Sequence, residues 1–163
     1  MGLVPLAIVL AAASAAGAGD CGSWTLDGYR LGMRGDELLA VRSVTLHVEG
    51  QAQASEPGKL HGVLVLDAMN RLVKWDVVYE AKDAEPLRAE MRARFGAPAA
   101  DATGAVFDDG HDVLRQRQTL WRSPACDAAI VVYENIDSGG GAGHAVHATL
   151  GRASAVKVGF PGR

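Results

Sequence analysis

The sequence has no excess of basic over acidic residues, and it has no apolar run as long as a transmembrane helix. Its 163 residues include 16 Lys and Arg against 19 Asp and Glu, which gives a formal net charge of −3 at pH 7. Nucleic-acid-binding domains typically present a basic surface, so the composition does not favour a nucleic-acid partner. Hydrophobic residues make up 48% and charged residues 21%, which is typical of a globular chain. This length predicts a single domain with its own core.

The one long hydrophobic run lies near the N-terminus, from Leu3 to Ala13. It is shorter than the roughly 20 residues that span a bilayer. Small residues follow at positions 13–18, where an A-x-A cleavage site fits, although no Lys or Arg precedes the run. We expect residues 1–18 to be a cleaved signal peptide. Residues 19–163 are then expected to form one exported domain, periplasmic or secreted, with no transmembrane segment in the mature chain.

Only two cysteines are present, Cys21 and Cys126. In an oxidising compartment such a pair is expected to form a disulfide. Cys21 also follows the expected cleavage site, where a lipid-anchored cysteine would lie, but the preceding Asp20 departs from the small-residue pattern of lipoproteins. The sequence therefore favours a Cys21–Cys126 disulfide, with two free thiols or lipidation of Cys21 as the alternatives.

The clearest structural pattern is a strand, a turn, a second strand and a helix between residues 60 and 98. Leu60–Asp67 is apolar and β-branched, and Arg71–Tyr79 alternates between apolar and polar residues. The alternation places four side chains on one face, those of Val73, Trp75, Val77 and Tyr79. The helix is predicted from Glu85 to Phe95, with Leu87, Met91 and Phe95 forming one apolar stripe. Gly96 is expected to end it in a left-handed conformation.

Most of the remaining chain predicts strands. They cover Ser43–Glu49, Ala105–Phe107, Val113–Arg122, Ala128–Glu134 and Ala145–Leu150, whereas the polar segment Gln51–Lys59 predicts a loop and the tail from Gly151 predicts an edge strand or a loose end. A short helix is expected after Asp36. The sequence thus predicts an α+β domain, in which an antiparallel sheet of about six or seven strands carries two helices packed on one face.

The segment Leu31–Val41 contains Gly32-Met33 followed by a short capped helix. It resembles the opening of small exported bacterial domains, among them the small lipoprotein of the outer-membrane β-barrel assembly machine and the β-lactamase inhibitory protein. The sequence Phe95-Gly96-Ala97-Pro98 resembles the Gly-x-Pro that ends a helix in those domains, although here it follows the second helix. Arg34 and Gly35 also depart from the usual pattern. The resemblance implies helices on one face of an antiparallel sheet and a non-catalytic role in binding other proteins.

Three side chains of one predicted strand are candidates for a binding surface. Arg115, Arg117 and Trp121 alternate along Val113–Arg122, so they share a face. Exposed Trp and Arg anchor many protein interfaces. We expect this patch to contact a partner protein and expect no cofactor.

The alternative function depends on His111, His144 and His147, since three histidines can hold a catalytic zinc. In a strand, however, His144 and His147 face opposite sides unless a bulge intervenes. Asp137–Gly140 resembles the nucleophile segment of trypsin-like proteases, but no matching histidine segment precedes it. The acidic segment Asp108–Asp112 lacks the rest of a twelve-residue calcium loop. The sequence favours a non-catalytic protein-binding domain, and a small secreted hydrolase or metal-binding protein stays the alternative.

Overall fold

The computed structural model describes residues 21–41, 44–47, 51–56, 60–107, 113–136 and 145–159. Several predicted features lie outside the described residues. These are the signal peptide at 1–18, the acidic segment Asp108–Asp112 with His111, the segment Asp137–Gly140 and His144.

One antiparallel sheet organises the described chain. In chain order the strands are β1 (Thr25–Leu26), β2 (Tyr29–Arg30), β3 (Val44–His47), β4 (Gln51–Glu56), β5 (Leu60–Leu66), β6 (Leu72–Glu80), β7 (Ala100–Phe107), β8 (Val113–Arg122), β9 (Ala129–Asn135) and β10 (Ala145–Gly151). The helices are α1 (Gly35–Val41) and α2 (Ala84–Phe95), with 3-10 turns at Cys21–Ser23 and Ala81–Asp83. Strands β1 and β2 form a separate hairpin, and the other eight form one sheet in the order β3-β4-β5-β6-β10-β9-β8-β7. The predicted α+β class is confirmed, and the sheet is slightly larger than expected.

Strand β4 corrects the expectation of a loop at Gln51–Lys59. Gln51–Glu56 pairs with β3 on one side and β5 on the other. The sequence predicts a loop because this segment is polar and contains Pro57-Gly58. Pairing with two neighbouring strands satisfies the backbone on both sides, and this context outweighs the local preference.

Both helices pack on the same face of the sheet, which we call the helix face. Helix α2 contributes buried Leu87 and Met91, α1 contributes buried Leu38, and Phe95 stacks on Trp24 with ring centroids 4.3 Å apart. The β1–β2 hairpin and the turn after it add buried Leu26, Tyr29 and Met33 to this core. The large sheet contributes side chains from β5, β6, β8, β9 and β10: Leu64, Leu72, Trp75, Val77, Trp121, Ile130, Val132, Val146, Ala148 and Leu150. The predicted apolar stripe of α2 is confirmed. Gly96 ends the helix as expected, with φ of 79° and ψ of −154°. This conformation is open to a residue without a Cβ, but it is not the left-handed helical one that the sequence predicts.

A bulge in β6 changes which side chains join this core. Val65 pairs with Lys74 and Leu66 pairs with Leu72, so Val73 is an extra residue in the ladder. Leu72 therefore faces the core with Trp75, whereas Val73 lines a groove on the opposite face together with Val65. The expectation that Val73 shares a face with Trp75 is wrong, because strict alternation does not anticipate a bulge.

The predicted disulfide between Cys21 and Cys126 is present, with the two Cα atoms 5.8 Å apart. It joins the first 3-10 turn to the loop between β8 and β9, across a sequence separation of 105 residues. It therefore links the start of the described chain to the loop that joins β8 and β9, near the β7 edge of the sheet.

Replacing both cysteines, Cys21→Ser with Cys126→Ser, should lower the free energy of unfolding by about 2–5 kcal/mol, because the unfolded chain loses the constraint of a long loop. Urea unfolding of the oxidised wild type, the reduced wild type and the double variant checks this. Equal midpoints for the oxidised wild type and the double variant would contradict it.

Gly62 of β5 leaves room for the indole of Trp75 on the helix face. A Cβ at this position would overlap atoms Cη2 and Cζ3 of Trp75 and lie 2.8 Å from the carbonyl oxygen of Asp76. Trp75 is fully buried, so it has little freedom to move aside. We expect Gly62→Ala to lower the free energy of unfolding by at least about 1–3 kcal/mol, the usual cost of overpacking a core.

Gly35→Ala is the matched control, because no heavy atom lies within 4 Å of a Cβ built there. Chemical denaturation should show little change, or a slight gain in stability from the better helix former at the start of α1. Equal losses in the two variants would show that packing against Trp75 is not the cause.

Candidate functional site

The patch of Arg115, Arg117 and Trp121 lies on the helix face. Trp121 is 1% exposed, and its indole Nε1 donates a hydrogen bond to the carbonyl oxygen of Gly96 at 3.1 Å. The expectation of an exposed aromatic anchor is therefore wrong for Trp121. Alternation correctly groups these side chains on one face, but it does not indicate that the helices cover this face. Arg115 is exposed at the same face.

A fully buried guanidinium, that of Arg88, lies between α2 and the sheet. Its Nη1 is 2.7 Å from an Oε2 of Glu134 on β9 and 3.2 Å from Oε1 of Glu85. Its Nε donates to the hydroxyl oxygen of Thr119 on β8 at 3.2 Å, and within the described chain its Nη2 has no partner. A buried charge is tolerated when opposite charges and hydrogen bonds compensate for lost water. Arg88 thus connects α2 to the neighbouring strands β8 and β9.

Arg117 extends this network towards the sheet edge. Its guanidinium binds Asp101 of β7 through two parallel hydrogen bonds, Nε to Oδ1 at 2.9 Å and Nη2 to Oδ2 at 2.7 Å. Its Nη1 also donates to Oε1 of Glu85 at 3.1 Å. The fork geometry is the strong form of an arginine–carboxylate pair. Hydrogen bonding from Arg117 lowers the pKa of Asp101, and the hydrogen bond to Asp101 raises the pKa of Arg117. Arg117 therefore stabilises the contact between β7, β8 and α2.

The Asp101–Arg117 pair predicts a defined acid dependence of stability. Because the pKa of Asp101 is lower in the folded chain than its ordinary value of 3.8, ionised Asp101 stabilises the fold at pH values above that value. This contribution is lost as the pH falls through the lowered pKa. We expect the stability difference between wild type and Asp101→Asn to shrink as the pH falls below about 4, in urea unfolding measured from pH 2 to 6.

Asp101→Asn made in an Arg117→Gln background serves as the control for this pH series. Arg117 supplies the two parallel hydrogen bonds that lower the pKa of Asp101. Without this guanidinium, adding Asp101→Asn should change the free energy of unfolding far less at every pH of the series. A stability difference for Asp101→Asn that stays constant across the series would contradict the assignment.

The opposite face of the sheet, which we call the open face, is the candidate functional site. Of the described chain, the segment 152–159 packs on this face, with Val156 against buried Leu120 and Val131. Arg122 donates through Nη2 to the carbonyl oxygen of Val156 at 3.0 Å. The sequence predicts an edge strand or a loose end after Gly151. Residues 152–159 instead form a non-strand segment that covers part of the sheet.

Beyond this segment, four strands place their side chains in one row on the open face. Val78 of β6 lies opposite His147 of β10, which lies opposite Tyr133 of β9, which lies opposite Gln118 of β8. Val78 is 36% exposed, His147 is exposed and Tyr133 is partly buried. We call Val78, His147 and Tyr133 the open-face row. It combines an apolar, an aromatic and an imidazole side chain. The sequence analysis placed the binding surface elsewhere, at Arg115, Arg117 and Trp121.

Polar neighbours of the open-face row are held in place by hydrogen bonds. Asp76 accepts a hydrogen bond from the Thr149 hydroxyl at 2.5 Å and pairs with the ammonium of Lys74 at 2.6 Å. Gln116 donates through Nε2 to Oδ1 of Asn135 at 3.0 Å. Burial, followed by the charge of Asp76, raises the pKa of Tyr133. Its phenol therefore stays protonated at neutral pH and can donate a hydrogen bond.

Two grooves flank the segment 152–159 on the open face. The first, of about 470 Å³, is lined by Val65, Asp67, Val73, Lys74, Gly151, Arg152, Ala155 and Val156. The second, of about 560 Å³, is lined by Ala99, Ala100, Ala102, Leu120, Arg122, Val158 and Gly159. We call the second one the edge groove, because β7 is the last strand of the sheet.

Of the three histidines proposed as metal ligands, the structure describes His147. Within the described ranges, no group of three or more His, Cys, Asp or Glu side chains is placed to hold a metal ion. No helix in those ranges is long and apolar enough to cross a membrane. No protein-family model, characterised protein or solved structure matches the chain. The resemblance to exported bacterial domains therefore stays a prediction that depends on two short motifs.

Proposed function

We propose that this chain is an exported, non-catalytic domain that binds another protein through the open face of its sheet. The observation that carries the proposal is the open-face row. Val78, at 36% exposure, lies in the same lateral row as His147 and Tyr133, on a face that the helices do not cover. Tyr is enriched at the energetic centres of protein interfaces, and neighbouring contacts there serve to exclude water.

The arrangement of the row suits recognition of a protein surface. Residues directly opposite each other on neighbouring strands lie about 5 Å apart, so the three side chains form one continuous patch. Lys74 and Asp76 lie close by as an ion pair, and Gln116 is held by Asn135. Side chains that are already held in place lose little conformational entropy on binding. The face therefore offers an apolar and aromatic centre with an ordered polar rim.

Location in the periplasm or outside the cell is part of the proposal. Disulfides persist in oxidising compartments, and the Cys21–Cys126 bridge fits such a compartment. The expected signal peptide at residues 1–18 and the resemblance to exported binding domains point in the same direction. The proposed partner is another protein of the same compartment.

The test begins with a photo-crosslinking amino acid at position 78 or position 39, expressed with the full chain in its native compartment. Leu39 is 62% exposed on α1, so it is an apolar surface position away from the open face. We expect a discrete covalent adduct with one protein from position 78 and none from position 39.

The crosslinked partner, once purified, allows a matched comparison of Val78→Asp with Leu39→Asp. Both variants introduce a carboxylate at an exposed apolar position, so both should fold. Because a charge without a partner is unfavourable at the centre of an interface, Val78→Asp should weaken binding at least about tenfold, and Leu39→Asp by less than about twofold. Equal effects, or adducts from position 39 alone, would contradict the use of the open face.

A further inference from the structure

Strand β7 forms one edge of the sheet and pairs with β8 in continuous register, from Ala100 opposite Leu120 to Phe107 opposite Val113. No other strand of the described chain pairs with its outer side. In an antiparallel edge strand, alternate residues direct their N–H and C=O groups away from the sheet. About half of the eight residues of β7 therefore offer backbone groups to an incoming strand.

This edge lacks the features that usually prevent strand pairing. Natural edge strands are short, bulged, interrupted by Pro or carry Lys. Strand β7 has eight residues, no bulge against β8, and neither Pro nor Lys between Ala100 and Phe107. Its one charged side chain, Asp101, is held by Arg117 on the helix face. The opposite edge of the sheet, β3, has only four residues.

The edge groove lies beside β7 on the open face. Strand β7 contributes the small residues Ala100 and Ala102, whereas β8 contributes the larger Leu120, and Val158 forms part of the wall. Alternate side chains of a strand lie on the same face of the sheet. A strand added beyond β7 would therefore direct every second side chain towards this groove.

The charge of the edge groove indicates which side chains it would accept. Apart from Arg122, the described residues that line it are Ala, Leu, Val and Gly, and none of these described residues is a carboxylate. Arg122 is exposed and uses Nη2 to bind the carbonyl oxygen of Val156, and its other guanidinium nitrogens have no partner within the described ranges. Arg122 can therefore bind a carboxylate beside an apolar side chain.

We propose that the outer edge of β7 binds an extended peptide of a partner protein as an added strand. Apolar side chains at alternate positions of the peptide occupy the edge groove, and an acidic side chain binds Arg122. Backbone hydrogen bonds to β7 provide affinity, and the groove provides specificity. A second copy of this chain fits less well, because over residues 100–104 its own β7 would bring only Ala and Gly residues to the open face, and these are too small to fill the groove. This surface is separate from the open-face row, so either proposal can fail alone.

A random twelve-residue peptide library displayed on phage, selected on the full chain with its disulfide intact, tests the proposal. We expect enrichment of peptides in which apolar residues alternate, with at least one Asp or Glu among them. A synthetic peptide from the enriched set should shift the NMR amide signals of residues 99–105. Alternate backbone N–H groups of an added strand point towards β7, and the others point away from it. Methylation of the nitrogens at every second position should therefore abolish binding for the set that faces β7 and leave binding intact for the other set.

Two adjacent positions of β7 provide matched variants. Ala102→Phe fills the edge groove and should weaken binding of the synthetic peptide at least about tenfold. Thr103→Phe places the same side chain on the other face, and it should change binding by less than about twofold. Arg122→Gln should abolish the preference for acidic peptides over versions with Gln.

Three results would overturn the proposal. They are a library with no enriched pattern, enriched peptides that bind Ala102→Phe as well as wild type, and a dimer of the free chain that Ala102→Phe dissociates. Val78→Asp should leave peptide binding unchanged, which separates this site from the open-face contact.

Discussion

The buried guanidinium of Arg88 is the interaction on which the architecture depends most. A charge with no exposure to water needs opposite charges at close range, and Arg88 finds them in Glu134 of β9 and Glu85 of its own helix. Its contacts with Glu134 and Thr119 join α2 to β9 and β8 at defined positions along those strands. At the end of the helix, the carbonyl oxygen of Gly96 accepts the indole hydrogen bond of Trp121. The helices thus cover one face of the sheet, and the other face is the one that we propose for recognition.

Much of the fold follows from local patterns in the sequence. The stripe of Leu87, Met91 and Phe95 predicts α2, Gly96 predicts its end, and alternation predicts β6 and β8. The failures share a physical cause. Alternation groups Arg117 with Trp121, but it does not show which face of the sheet the helices cover. The polar composition of Gln51–Glu56 likewise does not show that this segment pairs with a strand on each side. These outcomes depend on contacts between segments far apart in sequence.

The candidate site was not predictable for the same reason. Val78, Tyr133 and His147 come from three strands, and they meet because β10 inserts between β6 and β9. In the sequence, Tyr133 belongs to an almost entirely apolar strand and gives no sign of a surface role. The two proposed surfaces differ in the groups that they offer to a partner. The open-face row offers side chains to a folded protein, whereas the edge of β7 offers backbone groups and a groove to an extended peptide.

If the proposal is right, a partner covers the open face in the native compartment while the helix side stays accessible to water. Covalent side-chain footprinting tests this most directly, by comparing the protein in its native compartment with the purified chain. Labelling of Val78, His147 and Tyr133 should fall in the native compartment, while labelling of Leu39 should be unchanged. Equal labelling of the three open-face side chains in both samples, or protection of Leu39 alone, would contradict it.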